Sequence, residues 1–290
     1  MANDNDTASS ARFSKPIAAL TIAGSDSGGG AGIQADLRTF FAHGLLGTSA
    51  IAAVTAQNTL GVSAWEAVSP ALVGAQIDAV LDDLPVAAAK TGMLGTRAVI
   101  GCVIDAWTRR PATVPLVVDP VMVATSGHRL LDAEAEAAMR ELLAIATVVT
   151  PNRAEAGVLS GLPDATAAEQ AAAIARLTGA TIVIKGGHPD PHRAAAASRE
   201  AVDLVRRPDG STFELVAPWV ETASTHGTGC TFSAAIAARL ALGDALDEAL
   251  VAAKRYLTGA LAHALPIGRG HGPVDHGFAL TTQLEAEAKR

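Results

Sequence analysis

Residues 224–243 read STHGTGCTFSAAIAARLALG, a turn of small residues that runs into a long apolar helix with a cysteine at its start. The first four N–H groups of a helix lack intrahelical partners, and the macrodipole adds partial positive charge there. Gly227, Thr228, Gly229 and Cys230 are therefore a candidate anion cradle. An ordinary helix start after a tight turn has the same appearance, so other segments must decide. GSDSGGGAG (24–32) brings five glycines, where a small ligand can approach the backbone without meeting Cβ atoms. No GKS or GKT follows, which excludes a P-loop, and Ile33 stands where a dinucleotide fingerprint needs its last glycine. Asp36, one helical turn below that loop, is either a solvated carboxylate or an acceptor for a ligand donor. TPNRAE places Asn152 and Glu155 three apart at a helix start, as a hard-oxygen pair for Mg²⁺ or as a capping box. Asp119, between an apolar strand and Pro120, adds a second carboxylate. Lys185, followed by two glycines, reaches a phosphate or simply leaves a buried strand. Together these are the parts of a phosphoryl-transfer site. Cys230 then sits where an acceptor hydroxyl loses its proton, with a pKa that a helix N-terminus can depress; as a small buried residue it would be inert.

Such residues converge only if the chain places them on one rim. Apolar runs at 17–23, 87–92, 115–120, 147–151 and 181–187 read as strands, and amphipathic stretches at 69–84, 132–146 and 166–179 as helices opened by Ser, Asp or Thr caps. Their alternation predicts an α/β fold with a doubly wound, mainly parallel sheet flanked by helices. Segments 47–68 and 201–216 read as small additional β elements, hairpins or edge strands, outside that alternation. Ligands bind such sheets beyond the carboxyl ends of the strands, where the glycine loop, Asp119, Asn152 and Lys185 all fall.

The chain has 290 residues, 49% hydrophobic but only 3% aromatic, and a net charge of −7. That balance excludes a general nucleic-acid backbone binder. The pairs Arg109–Arg110 and Arg206–Arg207 read as solvated faces. Two cysteines without metal-ligand spacing suggest neither a zinc site nor a disulfide framework. Residues 1–15 are polar, lack the apolar core of a signal peptide, and are expected to be a disordered tail before a single domain over 16–290. No apolar run reaches membrane-spanning length, so a cytoplasmic globular protein without membrane partners is expected.

The ordered set ALTIAGSDSGGGAGIQADLRTF, TAQNTLGV, KTGML, VVDPVMVATSG, TPNRAEA, IKGGH, THGTGCTFSAAIA and GHGPVDH, from about Ile17 to Phe278, resembles the hydroxymethylpyrimidine/phosphomethylpyrimidine kinases of thiamine biosynthesis, within the ribokinase-like superfamily. The resemblance implies ATP- and Mg²⁺-dependent phosphorylation of 4-amino-5-hydroxymethyl-2-methylpyrimidine, then of its monophosphate. It also implies a homodimer. Carried over by position, Gly24, Asp36 and Gln57 would bind the pyrimidine between apolar walls of Met93 and Val121. A Gln57 amide offers the donor and acceptor that an aminopyrimidine edge needs. Asn152, Lys185 and Thr225 would meet ATP phosphates, Asp119 and Glu155 the metal, and Gly227, Thr228, Gly229 and Cys230 the transferring group. Many sugar kinases of the superfamily carry Asp where Cys230 stands, and many relatives have Pro-Ser after the loop Asp where this loop has Ser-Gly. Pyridoxal kinases share the fold and are the nearest alternative, with GTGC and Gln57 as the discriminating features. A pyrimidine sensor without catalysis would have no use for the phosphate-handling residues.

Overall fold

The computed structural model describes residues 16–110, 114–122, 134–186 and 200–280. The expected tail (1–15), the last ten residues of the expected domain, residues 123–127 of VVDPVMVATSG, Gly187 and His188 of IKGGH, and the start of the helix expected at 132 lie outside them. One nine-stranded sheet has the order β3 (Gly61–Ala67), β2 (Leu46–Asn58), β1 (Ala18–Asp26), β4 (Val86–Thr91), β5 (Leu116–Val118), β6 (Val148–Val149), β7 (Thr181–Ile184), β8 (Glu200–Arg206), β9 (Thr212–Pro218). Strands β2, β1 and β4 to β7 are mutually parallel, with Ala18 opposite Leu46 and Lys90 opposite Val117. Antiparallel β3 closes one edge, and β8 and β9 extend the other.

Alternate residues of each strand feed opposite cores, as a period of two dictates. Leu20, Ile22, Val118, Val149 and Ile182 face the layer of α2 (Pro70–Asp83), α3 (Arg97–Thr108), α4 (Ala135–Leu143), α5 (Arg153–Ser160) and α6 (Ala167–Ala175). Ala19, Val117, Val148 and Val183 face α1 (Gly32–Ala42), α7 (Thr228–Ala241) and α8 (Leu246–Ala262). In α7, Ala234, Ala235, Ala237 and Ala238 are all fully buried. Their small side chains let the helix lie close to the sheet, with its amino terminus beside the strand ends.

Segments 47–68 and 201–216 do form antiparallel hairpins with edge strands β3 and β9, but the first departs from expectation in one respect. Its first strand does not stand outside the alternation: β2 pairs in parallel with β1 as far as Thr55, while residues 53–58 pair on their other side with antiparallel β3, the edge strand of the hairpin. The length of β2, 13 residues, serves two overlapping pairings, one on each side. Helices α3 and α8 were not placed from the sequence. The chain runs from β1 to β2 on one side and later to β4 on the other, so the sheet's winding reverses between β1 and β4. That crevice is where an open α/β sheet takes its ligand.

Candidate active site

Asp26 ends β1 and organises the glycine loop that follows. Its Oδ1 accepts from Gly28 N (2.8 Å), and its Oδ2 accepts from Gly30 N (3.0 Å) and Ala31 N (2.8 Å). Burial opposes its ionisation, but the hydrogen bonds from His226 and the loop amides prevail and hold its pKa below the usual carboxylate value. His226 Nε2 lies 2.9 Å from Asp26 Oδ2 and 3.2 Å from Gln57 Nε2. Gln57 is fastened to the loop as well: its N–H donates to Ser27 Oγ (2.7 Å), whose hydroxyl donates to the Gln57 carbonyl (2.8 Å).

His226 directly precedes Gly227, the N-cap of α7, whose φ of 79° lies in the left-handed region. A Cβ at 227 would also stand 1.9 Å from the Gly30 carbonyl oxygen, so the two glycine segments interlock with no room for a side chain. The amides of Gly229 and Cys230 open the helix with no intrahelical acceptor. Thr228 N is only weakly engaged, 3.4 Å from the Thr225 carbonyl, and the Thr225 hydroxyl lies 3.3 Å from His271 Nδ1.

The Cys230 thiolate is favoured by the Gly32 amide at the start of α1. Its pKa nevertheless rises to about 11: burial dominates, Lys90 opposes it, and Asp36 and Asp119 add to it. The expected depression by the helix terminus is thus overturned, because desolvation of a thiolate outweighs a partial charge. Asp36 requires a second correction. Expected at the pocket, it is completely buried beneath it, with both oxygens taken by Lys90 Nζ (2.9 and 3.0 Å) and one also by Thr21 Oγ1 (2.6 Å). The inward face of α1 carries it against β1 and β4, where Thr21 and Lys90 already occupy its oxygens. Lys90, also completely buried, stays charged because the carboxylates of Asp36, which it contacts, and Asp119 offset its desolvation.

Beyond the ends of β5 and β7, Lys185 Nζ donates to Asp119 Oδ1 (2.7 Å), and Thr150 Oγ1 donates to the same oxygen (3.2 Å). A Cβ on Gly229 would come within 3.2 Å of Lys185 Nζ, so the ammonium borders the amides of α7. Asn152 and Glu155 form a reciprocal capping box: Glu155 N donates to Asn152 Oδ1 (2.9 Å) and Asn152 N to Glu155 Oε2 (2.8 Å). Burial pushes the Glu155 carboxyl up to about 7 against the attraction of Lys185, and the charge of Asp119 adds to the rise. Met93 and Val121 share one small apolar cluster with Ala53, Val62 and Trp65. The Met93 sulfur also lies 3.1 Å from where a Cβ on Gly24 would stand. The structure therefore groups Gly24, Met93 and Val121 on one side and Asp119, Glu155 and Lys185 on the other, with residues 227–230 beside Lys185.

Three buried participants were not singled out from the sequence: Asp26, Lys90 and His226. An Asp two residues before the first glycine of a run is an Asx-turn signal that was available for Asp26. Lys90 and His226 carry none, since their partners lie far off in the chain.

An open sheet whose switch point joins a glycine loop, a helix-start anion cradle and a lysine–carboxylate pair defines a small-molecule phosphotransferase of ribokinase-like architecture. The model of the phosphomethylpyrimidine kinase family matches residues 26–275. A hydroxymethylpyrimidine/phosphomethylpyrimidine kinase of Rhizobium meliloti is 52% identical over 266 residues, 89% of this chain and 96% of that one. A thiamine biosynthesis bifunctional protein of Geobacter sulfurreducens is 46% identical over 265 residues, which are 90% of this chain and 52% of the longer relative. Among solved structures, an ADP complex of Bacillus subtilis pyridoxal kinase superposes with a TM-score of 0.80 at 35% identity, covering 92% of this chain and 100% of that one. The chain belongs to the phosphomethylpyrimidine kinase family.

Proposed function

We propose that the protein transfers a phosphoryl group from ATP to the hydroxymethyl oxygen of 4-amino-5-hydroxymethyl-2-methylpyrimidine, and then a second one onto the monophosphate, in thiamine biosynthesis. One observation carries the reading: His226 links Gln57, a residue suited to an aminopyrimidine edge, to the residue that starts the anion cradle of α7. Substrate recognition and phosphoryl stabilisation thus share a single loop. Met93 and Val121 wall the ring, Gly24 leaves room beside it, and the amides of Thr228, Gly229 and Cys230 receive the transferring group after Gly227 has turned them toward it. Lys185 meets the nucleotide phosphates, with Asn152 and Thr225 at the rim of the same surface. In a loose transition state such positioned donors stabilise more than a base does, which suits a thiol that stays protonated near neutrality.

Among the described residues no cluster of three or more His, Cys, Asp or Glu side chains is placed to hold a metal with protein ligands alone. Two hard carboxylates, Asp119 and Glu155, suit Mg²⁺ instead, because it takes one or two such ligands and completes its shell with water and phosphate oxygens. When bound, it neutralises phosphate charge. Glu155→Gln then raises the magnesium concentration needed for half-maximal rate. An equal loss at every magnesium level, with a lowered melting temperature, would leave Glu155 only its capping role.

Among the described residues no helix is long and apolar enough to cross a membrane. We assign the protein to the cytoplasm, as a homodimer, on the family resemblance; light scattering of the purified chain at about twice its monomer mass checks the latter. The activity is tested by incubating the protein with Mg·ATP and the pyrimidine alcohol, its monophosphate, pyridoxal or ribose, and identifying the products by mass. Pyrimidine monophosphate followed by diphosphate is expected. Turnover of pyridoxal alone would transfer the assignment to the pyridoxal branch, and no turnover at all would favour a sensor.

A further inference from the structure

The contacts around Gln57 fix which way its amide faces. The oxygen and nitrogen of a carboxamide have nearly the same shape, so hydrogen-bond partners decide the orientation. At one end stands Asp26, whose two oxygens already receive three backbone N–H groups, a set that suits only an ionised acceptor. His226 Nε2, 2.9 Å from Asp26 Oδ2, must therefore carry a hydrogen. The Gln57 amide end at 3.2 Å from that same nitrogen then has to be its oxygen, sharing the hydrogen with Asp26, because an NH₂ there would set donor against donor. At the other end, Thr55 Oγ1 gives its only hydrogen to the Ser25 carbonyl (2.9 Å) and turns lone pairs toward Gln57 at 3.2 Å, where an NH₂ is required. Two independent neighbours select the same orientation, oxygen toward His226 and nitrogen toward Thr55.

We propose that His226 is a positioning residue that, with Thr55, locks the Gln57 amide so the substrate can pair with it in one direction only. The proposal rests on the reading of Gln57 as the pyrimidine contact. The free edge of the amide then offers its remaining lone pair on the His226 side and its remaining N–H on the Thr55 side. An aminopyrimidine answers with its 4-amine toward His226 and ring nitrogen N3 toward Thr55. Carbon 5, which bears the hydroxymethyl group, adjoins the carbon bearing the amine and lies on the side away from N3. The acceptor oxygen is consequently directed toward the start of α7, one residue beyond His226. The opposite amide orientation would turn it away. One histidine therefore sets both which edge is read and which way the reacting group faces.

The test uses the natural 4-amino substrate and its 4-oxo analogue, which presents a carbonyl and an N3–H and so reverses the pattern. The parent enzyme should favour the amino compound in kcat/KM. In His226→Phe, which keeps a ring beside Gly30 but has no N–H, that preference should fall at least about tenfold, since the amide can now turn, while the KM for ATP stays within about twofold. His226→Gln, which returns an N–H to the same place, should recover much of the preference. Thr55→Val removes the lone pairs at the opposite end and should also weaken it, which keeps the test open if His226→Phe does not fold. A preference unchanged in His226→Phe or, where that variant does not fold, in Thr55→Val overturns the proposal, as does equal loss on both compounds. Gln57→Leu separates the two readings. If it leaves the pyrimidine KM unchanged, the contact itself is wrong; if it erases the preference while the neighbouring variants retain it, only the orienting role is lost.

Discussion

Cys230, in the first turn of α7, and Lys90, on β4, influence each other's charge, and their electrostatics yield opposite expectations. With its pKa raised to about 11, the thiol holds roughly a hundredfold less thiolate near pH 8 than an ordinary cysteine. In a Cys102→Ser background, iodoacetamide should therefore modify the resting enzyme about a hundred times more slowly than a free thiol. A rate near that of free cysteine would reinstate a standing thiolate base. Lys90 is a matter of stability. Lys90→Met strands a buried Asp36 carboxylate and should cost about 3–5 kcal/mol in urea denaturation, most of it recovered in the double variant Lys90→Met/Asp36→Leu. The sequence showed residues of this kind unevenly. The types and spacing of Asn152, Glu155, Lys185 and residues 227–230 were legible because they follow one another within short motifs. Lys90 was not, since a lysine after three alanines in a strand gives no sign that Asp36 will pair with it in the core.

At the level of elements, the alternation of apolar runs and amphipathic stretches was enough to read a doubly wound sheet, because parallel strands buried on both faces leave that pattern. The double use of β2 was not readable. Nothing in residues 46–58 marks where pairing with β3 begins beside β1 or where pairing with β1 stops, since the latter depends on where β1 ends. The junction of the glycine loop with α7 was equally hidden, and it makes a sharp prediction. Gly227→Ala must leave the left-handed region and clear the Gly30 carbonyl. The amides of α7 would shift by about an ångström, and turnover should fall more than about a hundredfold with the far-ultraviolet spectrum unchanged. Retained turnover would mean that these amides do not hold the transferring group.

The molecule as a whole carries a pH dependence through His276, which lies near the end of the described chain and against α7. Its Nε2 is 3.0 Å from the Thr231 hydroxyl, and burial, with the charge of Arg38 adding to it, pushes its pKa down from 6.5 to about 4. Between those values the unfolded chain binds more protons than the folded one. Stability from this group is therefore complete above about 6.5 and is lost as the pH falls toward 4, by up to about 3 kcal/mol. Urea midpoints should decline less steeply over that window in His276→Gln than in the parent. Equal slopes would show that His276 already exchanges its proton freely in the native state.

Asp26 and His226 meet although they are 200 residues apart. A ribosome delivers β1 and its glycine loop long before it delivers α7, so during synthesis the Asp26 carboxylate has only its own loop amides, without His226, while the central sheet assembles. Closure of so long a span comes late in folding, because its entropy is lost before the contact rewards it. In refolding from denaturant, helix and sheet signals should consequently return before the ability to phosphorylate.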